Sequence, residues 1–207
     1  MIKLVTIPHW VQKMYKNRIW EVETEEKQLF LTFDDGPHPS HSLFVLDELK
    51  KYNAKATFFC IGKNVAAYPD VYKRMIEDGH KVGNHTQDHL NAWKTPNDVY
   101  LENVTEARNF IHSNLFRPPY GKINSFLVKQ LTSLYQIKTV MWSVLSYDFD
   151  QSISSERCLQ NVLLNSKAGS VIVFHDSEKA SAHMRYALPK VLSFFAEKGF
   201  SFERLEG

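Results

Sequence analysis

The strongest constraint on this chain is an alternation of short, apolar, β-rich runs with longer stretches of helical periodicity. The runs are QLFLTF (28–33), ATFFCI (56–61), KVGNH (81–85), LFRPP (115–119), TVMWSV (139–144), SVIVFH (170–175) and SFERL (201–205). Amphipathic segments over 41–52, 69–79, 97–114, 155–166 and 182–199 lie between them. Gly79 and Gly199 stand where helix C-caps belong, and Asn97-Asp98 where an N-cap does. About seven β–α units with apolar strands predict a parallel sheet covered by helices. An open doubly wound sheet and a barrel both satisfy the pattern. In either one, chemistry collects where strands end and loops begin, and Asp34, Asp35, His85, Arg117, Asp148 and His175 all fall at such ends.

The 207 residues carry no repeat, low-complexity tract or linker, which predicts a single domain. Its expected division is an N-terminal extension over 1–27 packed on a catalytic domain over 28–207. With 25 Lys+Arg against 23 Asp+Glu, the charge is too balanced for the basic surface that nucleic acid requires. The N-terminal segment MIKLVTIPHWVQKMYKNRIWEVET is broken by Lys3, Pro8, His9 and Lys13, and no later stretch is apolar enough to span a bilayer. A soluble, cytoplasmic protein is the default expectation, with association with the cell envelope as the alternative. Cys60 and Cys158 form no C-x-x-C pair, and Cys60 ends an apolar run as a buried free thiol would.

NHTQDH (84–89) sets His85 and His89 four apart, a spacing that lets two imidazoles meet one metal ion. Thr86 occupies the position where the H-E-x-x-H motif has its glutamate, so the motif differs from that one. TFDDGP adds two adjacent carboxylates at a strand end. Two histidines and one carboxylate make a common catalytic metal site, and the second carboxylate can then serve as a general base. An Asx turn explains one aspartate but not two. Arg117, in FRPPYG, can hold a carboxylate by a bidentate contact, and the two prolines stiffen the loop that follows. His175 leaves an apolar strand, where it can act as a general acid or pack as a core histidine. His38 and His41 read as solvated loop residues, and His80, His112 and His183 as surface positions. Trp93 is divided between sugar stacking and core packing.

Taken together, TFDDGP, HTQDH, RPPYG, WSVLSYDF and VIVFHD resemble, in order, the five motifs of the NodB-homology polysaccharide deacetylases, carbohydrate esterase family four. The resemblance covers roughly residues 28 to 205. It implies a distorted, incomplete (β/α) barrel and a metal-dependent hydrolase that removes N-acetyl groups from an amino-sugar glycan. It implies Asp35, His85 and His89 as ligands of one divalent metal, usually Zn2+, with Co2+, Ni2+ or Mn2+ as alternatives. Asp34 becomes the base and Arg117 its orienting partner. His175 becomes the acid, Asp148 the residue that holds it, and the Tyr120 backbone N–H the oxyanion donor. Phe149, Pro118 and Trp142 are the candidates for substrate contact, Trp142 with core packing as its rival. The fourth motif departs from the family's D-x-x-D-W, with Leu145 at the first aspartate and Phe149 at the tryptophan. That departure bears on acyl preference. Deacylation of another N-acyl amino sugar, such as a lipid-linked precursor, and a carbohydrate-binding pseudoenzyme are the competing readings.

Overall fold

A computed structural model describes residues 4–207. The elements run α1 (His9–Met14), β1 (Arg18–Ile19), β2 (Gln28–Asp34), α2 (His41–Lys51), β3 (Thr57–Cys60), α3 (Gly62–Ala67), α4 (Pro69–Glu77), β4 (Lys81–Asn84), α5 (Asn97–Ala107) and β5 (Leu115–Phe116). They continue through α6 (Ser125–Tyr135), β6 (Lys138–Val140), β7 (Val144–Leu145), α7 (Ser155–Leu163), β8 (Val171–His175), α8 (Ser181–Glu197) and β9 (Ser201–Phe202), with 3₁₀ turns at Pro119–Gly121 and Glu178–Ala180. Eight strands pair in the order β1-β6-β5-β4-β3-β2-β8-β7, every pairing parallel, and β9 joins the start of β2 through Gln28 and Ser201.

Chain connectivity forces this sheet to curl. β6 and β7 are consecutive in sequence but six strand spacings apart in the sheet, about 29 Å if it were flat. From Val140 to Val144 the extended chain can reach only about 14 Å. The sheet therefore bends until its ends approach each other, forming a half-barrel, and residues 141–143 cross the seam. Met141 N–H donates to Ile19 O at 2.7 Å on one side, and Ser143 N–H to Val171 O at 3.0 Å on the other. The single strand expected over 139–144 is thus two strands, because its halves pair with opposite edges.

The N-terminal segment covers the same seam. Leu145 N–H donates to Val5 O at 2.9 Å and Val22 N–H to Gly169 O at 2.9 Å, and isolated antiparallel bridges join Thr6 to Val144 and Glu21 to Ser170. β1 lies within this segment, so part of the expected extension is built into the sheet. No helix among the described residues is long and apolar enough to cross a membrane.

Most helices follow their apolar stripes. Gly79 and Gly199 take φ of 81° and 77° just beyond α4 and α8, where a side chain would strain the left-handed backbone. Asn97 is the first residue of α5 rather than its cap, which is Pro96. α6 is absent from the sequence expectations, although its signals are present. The Asn124 side chain caps it by accepting from Leu127 N–H, and Leu127, Val128 and Leu131 form its buried face. Cys60 and Cys158 are both buried free thiols.

The main core lies between the sheet and its helices and centres on Phe33, stacked 5.2 Å from Phe58 and 6.1 Å from Phe174. These rings anchor β2, β3 and β8, the strands whose ends carry Asp34 and His175. Phe33→Ala is expected to cost about 3–5 kcal/mol in urea unfolding, from lost burial plus the cavity left behind. A cost below about 1 kcal/mol would show that the three rings do not act as a packed unit.

Candidate metal and catalytic centre

The C-terminal ends of the strands bring most of the predicted residues to one cleft of about 290 Å3. It is lined by Asp34, Asp35, His85, His89, Tyr120, Gly121, Trp142, Leu145, Phe149, Val173, His175 and Lys179.

Arg117 lies behind this cleft, fully buried directly after β5. Its Nη1 donates to Asp34 Oδ1 and to Thr32 Oγ1, both at 2.7 Å, and its Nη2 donates to Met141 O at 2.8 Å. The guanidinium also lies 4.2 Å from the Phe59 ring centroid. A buried guanidinium must place its donors on acceptors or carry a large desolvation cost, and here the acceptors come from β2, the β6 end and the seam. The contact with Asp34 is a single hydrogen bond rather than the bidentate pair expected, because the other donors go to the Thr32 hydroxyl and to the backbone carbonyls of Val140 and Met141.

Arg117 also acts through its own carbonyl, which lies 2.7 Å from His85 Nδ1. That bond places the proton on Nδ1 and leaves the Nε2 lone pair free, the arrangement a metal-ligating histidine needs. Burial pulls the His85 pKa down to about 4, so the ring is neutral at physiological pH. His89 Nδ1 lies 3.1 Å from the Tyr120 hydroxyl. The two histidines are not on a helix. They flank a loop in which Thr86 and His89 have φ of 67° and 60°, held by Asn84, which accepts from Thr86 N–H at 2.8 Å. Asn103 on α5 accepts from Gln87 N–H at 3.0 Å and Asp88 N–H at 3.1 Å. Sequence reasoning missed Asn84 and Asn103, because an asparagine that holds a loop looks like any other asparagine.

Asp35 completes the cluster. Its Oδ1 lies 3.2 Å from His89 Nε2 and 3.7 Å from His85 Nε2, and the three ligand atoms fall within 4.8 Å of one another. Oδ1 is buried and has no hydrogen-bond partner, and the His85 Nε2 facing it carries no proton to donate. An orphaned carboxylate oxygen facing two imidazole nitrogens fits a divalent cation. Burial alone would push the Asp35 carboxyl up, but contact with His89 and the charges of His175, His85 and His89 hold it well below the usual carboxylate range.

On the far side, Asp148 binds His175 twice: Oδ1 lies 2.7 Å from Nδ1, and Oδ2 accepts the His175 backbone N–H at 2.6 Å. Asp148 is itself fully buried. Burial works against the imidazolium, but the charge and hydrogen bond of Asp148 outweigh it, with help from Asp35 and Asp34, and lift the pKa to about 10. His175 and Asp34 are register partners on adjacent strands. Phe149 meets the His175 ring edge-on at 5.1 Å.

The other candidates divide. Trp142 lines the cleft and packs against Gly121, where an added Cβ would come within 2.5 Å of the indole. Pro118 is buried and is not among the lining residues; it shapes the turn by accepting from Gly121 N–H at 3.0 Å. Trp93 is 66% exposed, with Lys122 4.1 Å from its ring centroid, and so is no core residue. His41, His80 and His183 are buried rather than solvated. His80 caps Ala56 N–H at 3.2 Å and His183 meets Ser155 Oγ at 2.8 Å, partners that make burial affordable. Lys179 was not anticipated as a lining residue, since one lysine in a polar stretch has no distinguishing signal.

In metal-free protein, His175 has a folded pKa of about 10 against 6.5 unfolded, so the folded state holds an extra proton between those values. The stability this confers is fully present below pH 6.5 and is lost as the pH rises through about 10. Urea unfolding from pH 7 to 10 is expected to show falling stability, with a flatter profile in His175→Gln. Equal slopes in both proteins would contradict the Asp148–His175 pairing.

The chain resembles known proteins in sequence and in fold. The polysaccharide deacetylase family model matches residues 21–138. A peptidoglycan-N-acetylglucosamine deacetylase from Bacillus cereus is 35% identical over 88% of this chain and 88% of its own length. The Listeria monocytogenes peptidoglycan-N-acetylglucosamine deacetylase PgdA is 32% identical over 99% of this chain, which spans only 45% of that protein. The crystal structure of the Bc1960 peptidoglycan N-acetylglucosamine deacetylase superimposes with a TM-score of 0.87 at 32% identity, covering 97% of this chain and 95% of that one. This chain belongs to the polysaccharide deacetylase family.

Proposed function

We propose that this cleft hydrolyses the N-acetyl group of an amino sugar within a glycan, releasing acetate and a free amine. As a polysaccharide deacetylase the chain is a hydrolase of carbon–nitrogen bonds other than peptide bonds. The observation that carries the residue assignment is the placement of two carboxylate–cation pairs, Asp34–Arg117 and Asp148–His175, around the Asp35–His85–His89 cluster. Relatives named for peptidoglycan support a peptidoglycan-type substrate.

Asp35, His85 and His89 would hold one divalent metal, with Zn2+ the proposed ion and Co2+, Ni2+ or Mn2+ the alternatives. When bound there, such an ion polarises the acyl carbonyl and acidifies water. Asp34 then accepts the proton of the attacking water, its carboxylate held in place by Arg117 so that no side-chain reorganisation is needed. The Tyr120 N–H donates to the developing oxyanion, on a backbone fixed at φ 60° by the turn that Pro118 begins. Leu145, Phe149, Val173 and Trp142 wall the cleft with apolar surface that receives the acetyl methyl and excludes water. His175 carries its proton on the nitrogen away from Asp148 and delivers it to the departing sugar nitrogen. Without that proton the amide anion would be a poor leaving group.

Leu145 favours one further reading, a preference for an N-acyl group other than acetyl, because it adds apolar wall where the family motif has an aspartate. Comparing formyl, acetyl and propionyl donors separates the two.

Metal-reconstituted protein is expected to release acetate from chitin oligomers or peptidoglycan fragments, and to lose that activity on chelation. Asp34→Asn should lower kcat by about 10²–10⁴-fold, the usual worth of a positioned general base. Full activity in Asp34→Asn, or activity untouched by chelation, would refute the assignment.

A further inference from the structure

The turn Glu178–Ala180 begins three residues after His175 and carries Lys179, the one lysine among the described residues that line the cleft. It is clamped from two sides. On one side the Glu178 carboxylate lies 2.7 Å from His41 Nε2 and 4.0 Å from His38 Nε2. These three side chains bring their ligand atoms close enough to suggest a second metal site, but the hydrogen bonds argue against it. His38 Nδ1 accepts from the backbone N–H groups of Ser40 at 3.1 Å and His41 at 3.2 Å. His41 Nδ1 faces Arg185 Nη2 at 3.2 Å, and a guanidinium can only donate. Both rings therefore carry their proton on Nε2, with no lone pair there for a metal, and the His41 N–H donates to Glu178. The cluster is a latch that ties the loop after β2 to the turn after β8.

On the other side Gln151 Nε2 donates to the Lys179 carbonyl at 2.6 Å. Gln151 belongs to the loop that holds Phe149. Lys179 is thus flanked by two contacts, one from the start of α2 to the Glu178 side chain and one from the loop of Phe149 to the Lys179 carbonyl.

The side chain held this way is uncommitted. Among the described residues Lys179 makes no ion pair. Its ammonium lies 5.9 Å from the Phe149 ring centroid, at the outer limit of a cation–π contact. The nearby carboxylates are directed elsewhere: Asp34 to Arg117, Asp148 to His175, and Asp35 to the two histidines of the proposed metal cluster. A cation presented to a binding cleft on a clamped backbone, with its charge left over, selects ligands of opposite charge.

We propose that Lys179 is a specificity residue that takes an anionic substituent, a carboxylate or a phosphate, on the amino-sugar substrate. This rests on the deacetylase reading and adds charge selectivity to it.

Three disaccharides of matched length test it: neutral N,N′-diacetylchitobiose, its 1-phosphate, and an N-acetylglucosamine–N-acetylmuramic acid disaccharide bearing a carboxylate. At low salt the wild-type protein is expected to favour at least one anionic substrate in kcat/KM, and the preference should fall at high salt. Lys179→Gln should lower the anionic-to-neutral ratio about tenfold, mainly through KM, and Lys179→Arg should keep it. The two anionic arms tell phosphate from carboxylate. No preference in the wild type, or an equal loss on all three substrates in Lys179→Gln, would overturn the proposal. Equilibrium binding of the same disaccharides to Asp34→Asn and to Asp34→Asn/Lys179→Gln reads the charge claim without turnover. Absence of acetate from every substrate would refute the deacetylase reading alone. Unchanged affinity for the anionic ligands on loss of Lys179 would refute the charge selectivity alone.

Discussion

The buried ion pair between Arg117 and Asp34 is the contact on which the centre depends. Both groups are shielded from water, Arg117 completely, so neither could stay there without the other and its hydrogen bonds. One guanidinium reaches β2 through Thr32 and Asp34, and the seam through Met141, while its own carbonyl orients His85. A single residue thereby fixes the proposed base, one proposed metal ligand and the place where the curled sheet nearly closes. Lysine could not substitute, since its one ammonium cannot reach acceptors in these separate directions.

Around that pair, charge is distributed so that neighbouring carboxylates do different things. Asp34 faces inward to Arg117, whereas Asp35 turns the other way at φ 81° and meets the two histidines. Adjacent carboxylates are tolerated because the backbone reverses between them. Behind the same turn, burial pushes the Asp176 carboxyl up to about 7, and it hydrogen-bonds with Ser42. Gly36 must lack a side chain, since a Cβ there would lie 2.2 Å from the Asp176 carboxylate. Thr86, His89, Tyr120 and Tyr147 also have left-handed backbones, all in loops that follow strand ends. Strained backbone of this kind persists where surrounding structure over-determines it, as packed strand ends and loop-binding asparagines do here.

Much of the centre was legible because its residues sit at the ends of apolar runs, where a polar side chain is conspicuous. Asp34, Asp35, His85, Arg117, Asp148 and His175 all stand out in that way, and five short motifs in order supplied Tyr120. The sheet's curl was not legible, because TVMWSV reads as one strand and only its pairing partners divide it. Trp142 was ambiguous for the same reason: the seam residue that looks like core in sequence lies beside the cleft. Lys179 and Asn103 carry no signal in the chain, as their roles come from what other loops do to their neighbours. Pro118 erred the other way, a motif residue whose part is to shape the turn rather than to touch the cleft.

The central claim is that Asp34 and Asp35, adjacent in sequence, hold separate offices. Zinc affinity measured by calorimetry in Asp35→Asn and Asp34→Asn tests it most directly. Affinity should fall at least tenfold in Asp35→Asn and stay within a few-fold of the wild type in Asp34→Asn. Comparable losses in both proteins, or the larger loss in Asp34→Asn, would contradict it.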